Sequence, residues 1–340
     1  MGFTLRLRNI DKAQSLADEL EGRNRPEVAR VDIEHNLSSA LREIKPNIVI
    51  HTSGPYQGQG YGVAKKCIKQ GCHYIDLADA REFVANIDQL DVRAKKRGVL
   101  ICTGASSVPC LTAAIIDRYI GEFKVLDKIE YGISTAQRTN RGLATMTAVL
   151  SYAGKPFTTL IDGKMQNVHG WLGLRWRNFW SLNLRPLGNC DIPDLELFPA
   201  RYPSLKTIRF QAGLELKALH LVLVMLSWLV KIRVLKSLQP LAPFLLKMSF
   251  LFDPFGKDNS GFYMRLSGKD KVGEDKVVNF DLIARNGDGL FIPSMPSILL
   301  AKKLANNEIS DTGAKPCVDI ITLDEYLAGL SEFNMKWQVR

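Results

Sequence analysis

The sequence predicts an α/β fold: a doubly wound, Rossmann-like parallel sheet, incomplete at its N-terminus, joined to a second α+β domain on a mixed sheet. Three observations predict it. Strand-like and helix-like segments alternate regularly as far as Pro109, the pattern of a parallel sheet covered on both faces. The apolar run "NIVIHTS" leads through a glycine-rich loop into a helix-like segment, as at the carboxyl end of a strand in such a sheet. Beyond Pro109 the alternation stops, and "GFYMRLSGKD" and "DKVVNFDLIARNGD" read as an antiparallel pair.

In order, "FTLRLRN" is a strand, and "DKAQSLADEL" a helix with Ala13, Leu16, Ala17 and Leu20 on one face. "VARVDI" is a strand and "SSALREI" a helix. "NIVIHTS" is expected as a central parallel strand, bounded by Pro46 and Gly54. "YGVAKKCIKQG" is a helix stopped by Gly71, "CHYIDL" a strand, and "FVANIDQLDVRAKKRG" a helix stopped by Gly98. "VLICTG" is the next strand. "LTAAIIDRYI" reads as a helix, "KIEYGIS" as a strand, and "RGLATMTAVLSYAG" as a helix closed by Gly154. Residues 155–210, rich in Gly, Pro, Trp and Arg, give no clear periodicity. "SILLAKKLANN" is helical, and Thr322 with Glu325 fits a capping box opening "LDEYLAGL". The domains fall at 1–109 and 110–340, with the C-terminal helix and strand free to return to the first.

At 340 residues and 46% hydrophobic, the chain can bury a sizeable core. No stretch approaches the ~20 apolar residues of a membrane span, and Met1–Arg8 does not read as a signal peptide. The six cysteines are scattered with no C-x-x-C pair, so neither zinc nor a redox dithiol is indicated and no metal is expected. They read as buried thiols in a reducing, cytoplasmic setting. The net charge of +10 divides into +4 over residues 1–150, +8 over 151–252 and −2 over 253–340. The basic middle could meet anionic lipid, a phosphorylated cofactor or nucleic acid; no nucleic-acid module accompanies it, so nucleic acid is not expected as a partner.

The richest local signal is "NIVIHTSGPYQGQGYGVAKK". Gly54, Gly58, Gly60 and Gly62 let a ligand approach the backbone, and the helix start that follows would present free N–H groups to a phosphate. Gly58 and Gly60 match a dinucleotide fingerprint, but Val63 stands where its third small residue belongs; Asp76 ends the next strand, as a ribose-binding acid would. An ordinary strand–helix turn explains the glycines equally well. Arg8 and Asn9 end the first strand and Asp32 the next. An Arg there can hold a ribose 2′-phosphate, which favours NADP; a solvated charge is the plainer alternative.

Several stretches together resemble the saccharopine dehydrogenase-like oxidoreductase family: "LRNIDKAQSLADEL", "SGPYQGQGYGVAKKCIKQGCHYIDLAD", "VLICTGASSVP", "RGLATMTAVLSYAG" and "NGDGLFIPSMPSILLAKKLA". The resemblance implies an NADP-type Rossmann half to about Pro109, then a substrate half with a mixed sheet. It puts Arg8 with Asn9 at the 2′-phosphate, Asp32 near the adenine, and Ser53, Gly54, Pro55 and Tyr56 along the pyrophosphate and nicotinamide ribose. The glycine-rich loop becomes the fourth strand–helix turn. Family members carry a first strand and G-x-G-x-x-G loop before the Arg-bearing strand, which needs roughly 25–30 residues. Only seven precede Arg8. The expectation is truncation of a longer parent, leaving strand edges unpaired. Relatives often continue the "D-L-x" strand with Gly-Glu where this chain has Asp79-Ala80, so Asp79 or Glu82 would supply the carboxylate, unless both serve helix capping.

Hydride transfer needs a proton donor or acceptor near neutral pH. Tyr56, in the glycine-rich loop, and His51, ending the strand before it, are the candidates; His73 and His220 sit in core-like contexts. Thr103, Ser106 and Ser107 in "CTGASSVP" are placed to line the substrate, or to form a capping turn before Pro109. No nucleophile elbow or H-E-x-x-H is present, which argues against a hydrolase or metalloenzyme.

Residues 214–252 stand apart. Lys217, Lys231, Arg233, Lys236 and Lys247 occur there with no acid from 216 to 252. Core packing, a homodimer interface and peripheral membrane contact remain open readings, the last suggesting a lipid-like substrate. The sequence therefore supports an NADP(H)-dependent oxidoreductase acting on a small molecule. Its alternative is a non-catalytic membrane-peripheral or interaction scaffold without dinucleotide binding.

Overall fold

The computed structural model describes residues 4–7, 9–20 and 26–340. Strand β1 (Thr4–Leu7), helix α1 (Ile10–Glu19) and β2 (Glu27–Arg30) form a small parallel unit. The side chain of Asn9 caps α1, its Oδ1 accepting the Lys12 N–H at 3.1 Å. Ala13 and Ala17 are buried, but Leu16 and Leu20 are 41% and 45% exposed. The expected four-residue apolar face is thus only half covered.

Helix α2 (Leu37–Ile44) leads to β3 (Ile48–His51), α3 (Gly62–Gln70), β4 (His73–Asp76), α4 (Arg81–Ala85), α5 (Asp91–Lys96) and β5 (Leu100–Thr103). These strands are parallel in the order β5-β4-β3. Gly71 and Gly98 close their helices at φ 74° and 65°, as expected. The position of β3 differs from expectation. It is not central: it borders its sheet, has no strand on its outer side among the described residues, and leaves Ile50 37% exposed. Its apolar sequence reflects helices on both faces, which periodicity reads, and not its neighbours along the hydrogen bonds, which periodicity cannot read.

After α6 (Thr112–Tyr119) the second sheet begins with β6 (Val125–Thr135), followed by α7 (Leu143–Ser151). Residues that gave no periodicity form the hairpin β7 (Pro156–Ile161) and β8 (Lys164–His169), then β9 (Arg175–Phe179) and β10 (Asn183–Asn189). Next come α8 (Asp194–Arg201), β11 (Thr207–Leu214), α9 (Lys217–Lys231) and α10 (Ala242–Phe250). The pair β12 (Ser260–Lys269) and β13 (Asp275–Ala284) is antiparallel as read. Helix α11 (Phe291–Ala305), β14 (Gly313–Pro316), α12 (Leu323–Gly329) and β15 (Met335–Val339) complete the chain. The capping box at Thr322 and Glu325 is formed.

The second sheet has seven strands in the order β15-β13-β12-β6-β11-β10-β9, with β6 and β11 parallel and the other pairs antiparallel. It is the expected mixed sheet. Strand β14 leaves this domain to pair in parallel with β5, so the first sheet is completed from near the C-terminus. One core cluster joins the second sheet to α6, α8, α11 and α12, and a smaller one lies between β4, β5, α2, α3 and α5.

Candidate functional site

The carboxyl ends of β3, β4 and β5 carry three loops, 52–61, 77–80 and 104–111. Asp76, the last residue of β4, organises two of them. Its fully buried Oδ1 accepts the Ala78 and Gly104 N–H groups at 2.9 Å each and the Thr103 hydroxyl at 2.8 Å. Its Oδ2 has no hydrogen-bond partner among the described residues. Burial pushes this carboxyl up to about 6 against the pull of those donors. Asp76 therefore cannot reach a ribose, as its strand-end position suggested; it shapes the turns. Thr103 is likewise fully buried and engaged with Asp76, not open to substrate. Ser106 is buried and Ser107 half-buried, and neither side chain caps the segment before Pro109.

The loop after β3 is held from inside. Tyr56 is 6% exposed, and its hydroxyl donates to the His51 carbonyl at 2.6 Å. Burial first, then the Asp76 charge, drives its phenol far above the ordinary range. His51 is buried with Nδ1 2.9 Å from the Tyr74 hydroxyl, and burial lowers its imidazole to about 4. It is neutral at physiological pH. Neither side chain is set up as a near-neutral acid; both fix the loop. Tyr56→Phe should accordingly cost about 1–3 kcal/mol through the unpaired buried carbonyl, read by urea denaturation, and should loosen the loop; an unchanged midpoint would show the bond to be dispensable. Gln59 adds a clamp, its Nε2 donating to the Ser53 and Pro55 carbonyls at 2.9 and 2.7 Å.

Outside this frame the loop is open. Thr52 and Ser53 are exposed, Gly54 and Pro55 half-buried, and a Cβ added at Gly58, Gly60 or Gly62 would meet nothing within 4 Å. Gly58 needs its φ of 79°. The first turn of α3 has no side-chain cap, and the loop leading into it carries the exposed hydroxyls of Thr52 and Ser53. That combination fits an anionic phosphate. Asp32 lies beyond β2, its carboxylate accepting the Glu34 N–H at 2.9 Å; Asn9 is occupied as a helix cap. Arg8 lies outside the described residues.

The facing wall comes from the second domain. Arg81, with 10% of its side chain exposed, bridges the two. It donates to the Thr158 carbonyl at 2.7 Å, to Asp191 at 3.2 Å and to Glu196 at 2.6 Å. Asp79 accepts from Gln57 Nε2 at 3.3 Å, and burial of its carboxyl group within the loop raises it above the usual carboxylate range. It does not cap α4. The Tyr152 hydroxyl lies 2.8 Å from Cys190 Sγ, and burial first, then Cys190, Asp79 and Asp191, pushes that phenol up. Sequence reasoning missed Arg81, Tyr152 and Asp191, whose partners lie on elements far apart in the chain.

No family model matches the chain, and no curated protein matches it. Among solved structures, apo saccharopine dehydrogenase (L-Glu forming) from Saccharomyces cerevisiae superposes with a TM-score of 0.70 at 12% identity, covering 100% of this chain and 94% of that one. The fold is that of saccharopine dehydrogenase. A meso-dapdh mutant with DAP from Clostridium tetani E88 matches 96% of this chain and 98% of that one at 13% identity and TM-score 0.42. GenD2 from gentamicin A biosynthesis, in complex with NAD, matches 96% and 84% at 11% identity and TM-score 0.41. These two are too distant to bear on the fold. The saccharopine dehydrogenase-like fold accounts for both the parallel sheet and the mixed second sheet.

Proposed function

We propose that this chain is an NADP(H)-dependent oxidoreductase that transfers hydride to or from a small, lipid-like molecule held between its two domains. The carrying observation is Asp79 in the loop after β4, which meets Gln57 of the β3 loop and lies beside the Tyr152–Cys190 pair of the second domain, across a junction fixed by Arg81. In open parallel sheets, ligands bind at such strand ends. The dehydrogenase named in the structure that shares this fold supports the same reading.

The nicotinamide, when bound, supplies the hydride chemistry. The chain's residues bind and orient it. The α3 start with Thr52 and Ser53 holds phosphate, with Gly54 and Pro55 alongside, while Tyr56 and His51 keep the loop in shape. Asp32 and Asn9 shape the two turns on the adenosine side, and Arg8 holds the 2′-phosphate. Ser106 and Ser107 border the substrate. Asp79, its carboxyl raised by burial beside Gln57, takes or gives the proton.

Titration calorimetry with NADPH and NADH tests this. NADPH should bind more tightly, and Arg8→Ala should weaken NADPH by about 10–100-fold, the worth of a charge-assisted contact, while leaving NADH unchanged. Binding of neither nucleotide sinks the reading. The scaffold alternative then stands, favoured by the exposed apolar face of α9.

A further inference from the structure

Helix α9 presents its more apolar face outward. Its inward stripe, His220, Leu223, Ser227 and Val230, is buried and half polar. Its outward stripe, Leu221, Val222, Met225 and Trp228, is 43–57% exposed. Surface helices ordinarily show the reverse. The inversion has a local cause on the inner side. Gly154 packs so closely that a Cβ there would lie 2.1 Å from the Ser227 carbonyl oxygen, and His220 meets the Trp171 ring edge-on at 5.8 Å. Among the described residues nothing covers the outer side. The exposure continues past the helix, with Ile232 at 59%, Val234 at 65%, and Phe244 on α10 at 61%. A monomer rarely leaves so much apolar surface uncovered without a partner for it.

The charges say what kind of partner. Lys217 and Lys231 sit at the two ends of α9, about 21 Å apart along the axis. Each lies over an exposed tryptophan ring: Lys217 Nζ is 5.9 Å from the Trp176 centroid, and Lys231 Nζ 4.3 Å from that of Trp228. Arg233, Lys236 and Lys247 follow, and no acidic residue occurs between Glu215 and Asp253. A second copy seated symmetrically on this face would bring two acid-free basic surfaces together. Apolar side chains flanked by cations and tryptophans match a phospholipid interface, where apolar groups enter the acyl boundary and cations meet phosphates. Among the described residues no helix is long and apolar enough to cross a membrane.

We propose that this face docks on an anionic phospholipid surface, with α9 lying in the headgroup plane and Lys217 and Lys231 marking its ends. The test is flotation of the full chain with phosphatidylcholine vesicles, with and without about 30% phosphatidylserine, which supplies the negative surface. The chain should float with the anionic vesicles at least about tenfold better than with neutral ones, and about 0.5 M salt should reduce the difference. Lys231→Gln should weaken binding about fivefold, the worth of one cation at such a surface. Met225→Glu combined with Trp228→Glu should abolish binding while leaving the circular dichroism and NADPH titration unchanged, because neither residue touches the strand-end site. No preference for anionic vesicles overturns the proposal, as does undiminished binding by the double-Glu chain. A concentration-dependent dimer dispersed by the same double substitution, without lipid binding, overturns it in favour of a self-interface.

Discussion

Gly154→Ala is expected to destabilise the chain by about 2–5 kcal/mol. Two effects add. Gly154 has φ 70°, and an L-residue there costs roughly 1–2 kcal/mol. The new Cβ would also lie 2.1 Å from the Ser227 carbonyl oxygen and 2.7 Å from Val230 Cβ. Both belong to the buried stripe of α9, and moving a packed helix costs about 1–3 kcal/mol. Gly163 separates the two effects. It turns the β7–β8 hairpin at φ 77°, but an added Cβ there meets nothing within 4 Å. Gly163→Ala should therefore lose only the backbone share. Urea denaturation of the two variants decides the matter, and equal losses would refute the packing account.

Asp194→Asn should raise stability at neutral pH and alter the pH profile in a defined window. Asp194 is fully buried at the start of α8, with Oδ2 accepting the Tyr131 hydroxyl at 2.8 Å and Oδ1 without a hydrogen-bond partner among the described residues. Burial pushes its carboxyl up to about 7. A raised acid is most comfortable folded when protonated. Its contribution is therefore most favourable below the unfolded value near 4, and is lost as pH rises through 7. The window amounts to about 4 kcal/mol if the full shift is realised. The asparagine chain should not show this loss, so its advantage over the parent should grow between pH 4 and 7 and then level off. An advantage independent of pH would remove Asp194 as the titrating group. Taking the difference between the two chains matters, because Asp253 and Glu325, held low beside Arg141 and Lys303, act in the opposite direction.

Much of the first domain was legible because its signals are local. Apolar runs and Gly71 and Gly98 as stops each need only a few adjacent residues, as does the Thr322–Glu325 box in the second domain. The placement of β3 was not legible: its neighbours in the sheet are not written in its own pattern. Leu16 and Leu20 fall on the expected stripe of α1, yet only Ala13 and Ala17 meet a covering surface. The site was partly legible. The glycine-rich loop and the strand-end positions are visible in the text, whereas the tyrosine and histidine chosen for chemistry turned inward. Arg81 reaches Glu196 across 115 positions, and Asp194 meets Tyr131 across 63. No local pattern announces such pairs.

The return of β14 to β5 orders events during synthesis. Gly313 N–H donates to the Val99 carbonyl at 2.9 Å, Ala314 N–H to Asp91 at 3.0 Å, and Cys317 N–H to the Thr103 carbonyl at 2.8 Å. Until those residues leave the ribosome, the outer edge of β5 has no strand to pair with, although all of β5 is buried in the finished protein. At typical translation speeds of about 5–20 residues per second, residues 104–312 take roughly 10–40 s to emerge. For that interval the nascent chain carries an apolar parallel edge in a half-made sheet, a natural substrate for holding chaperones and the period in which crowded expression would divert it into aggregates.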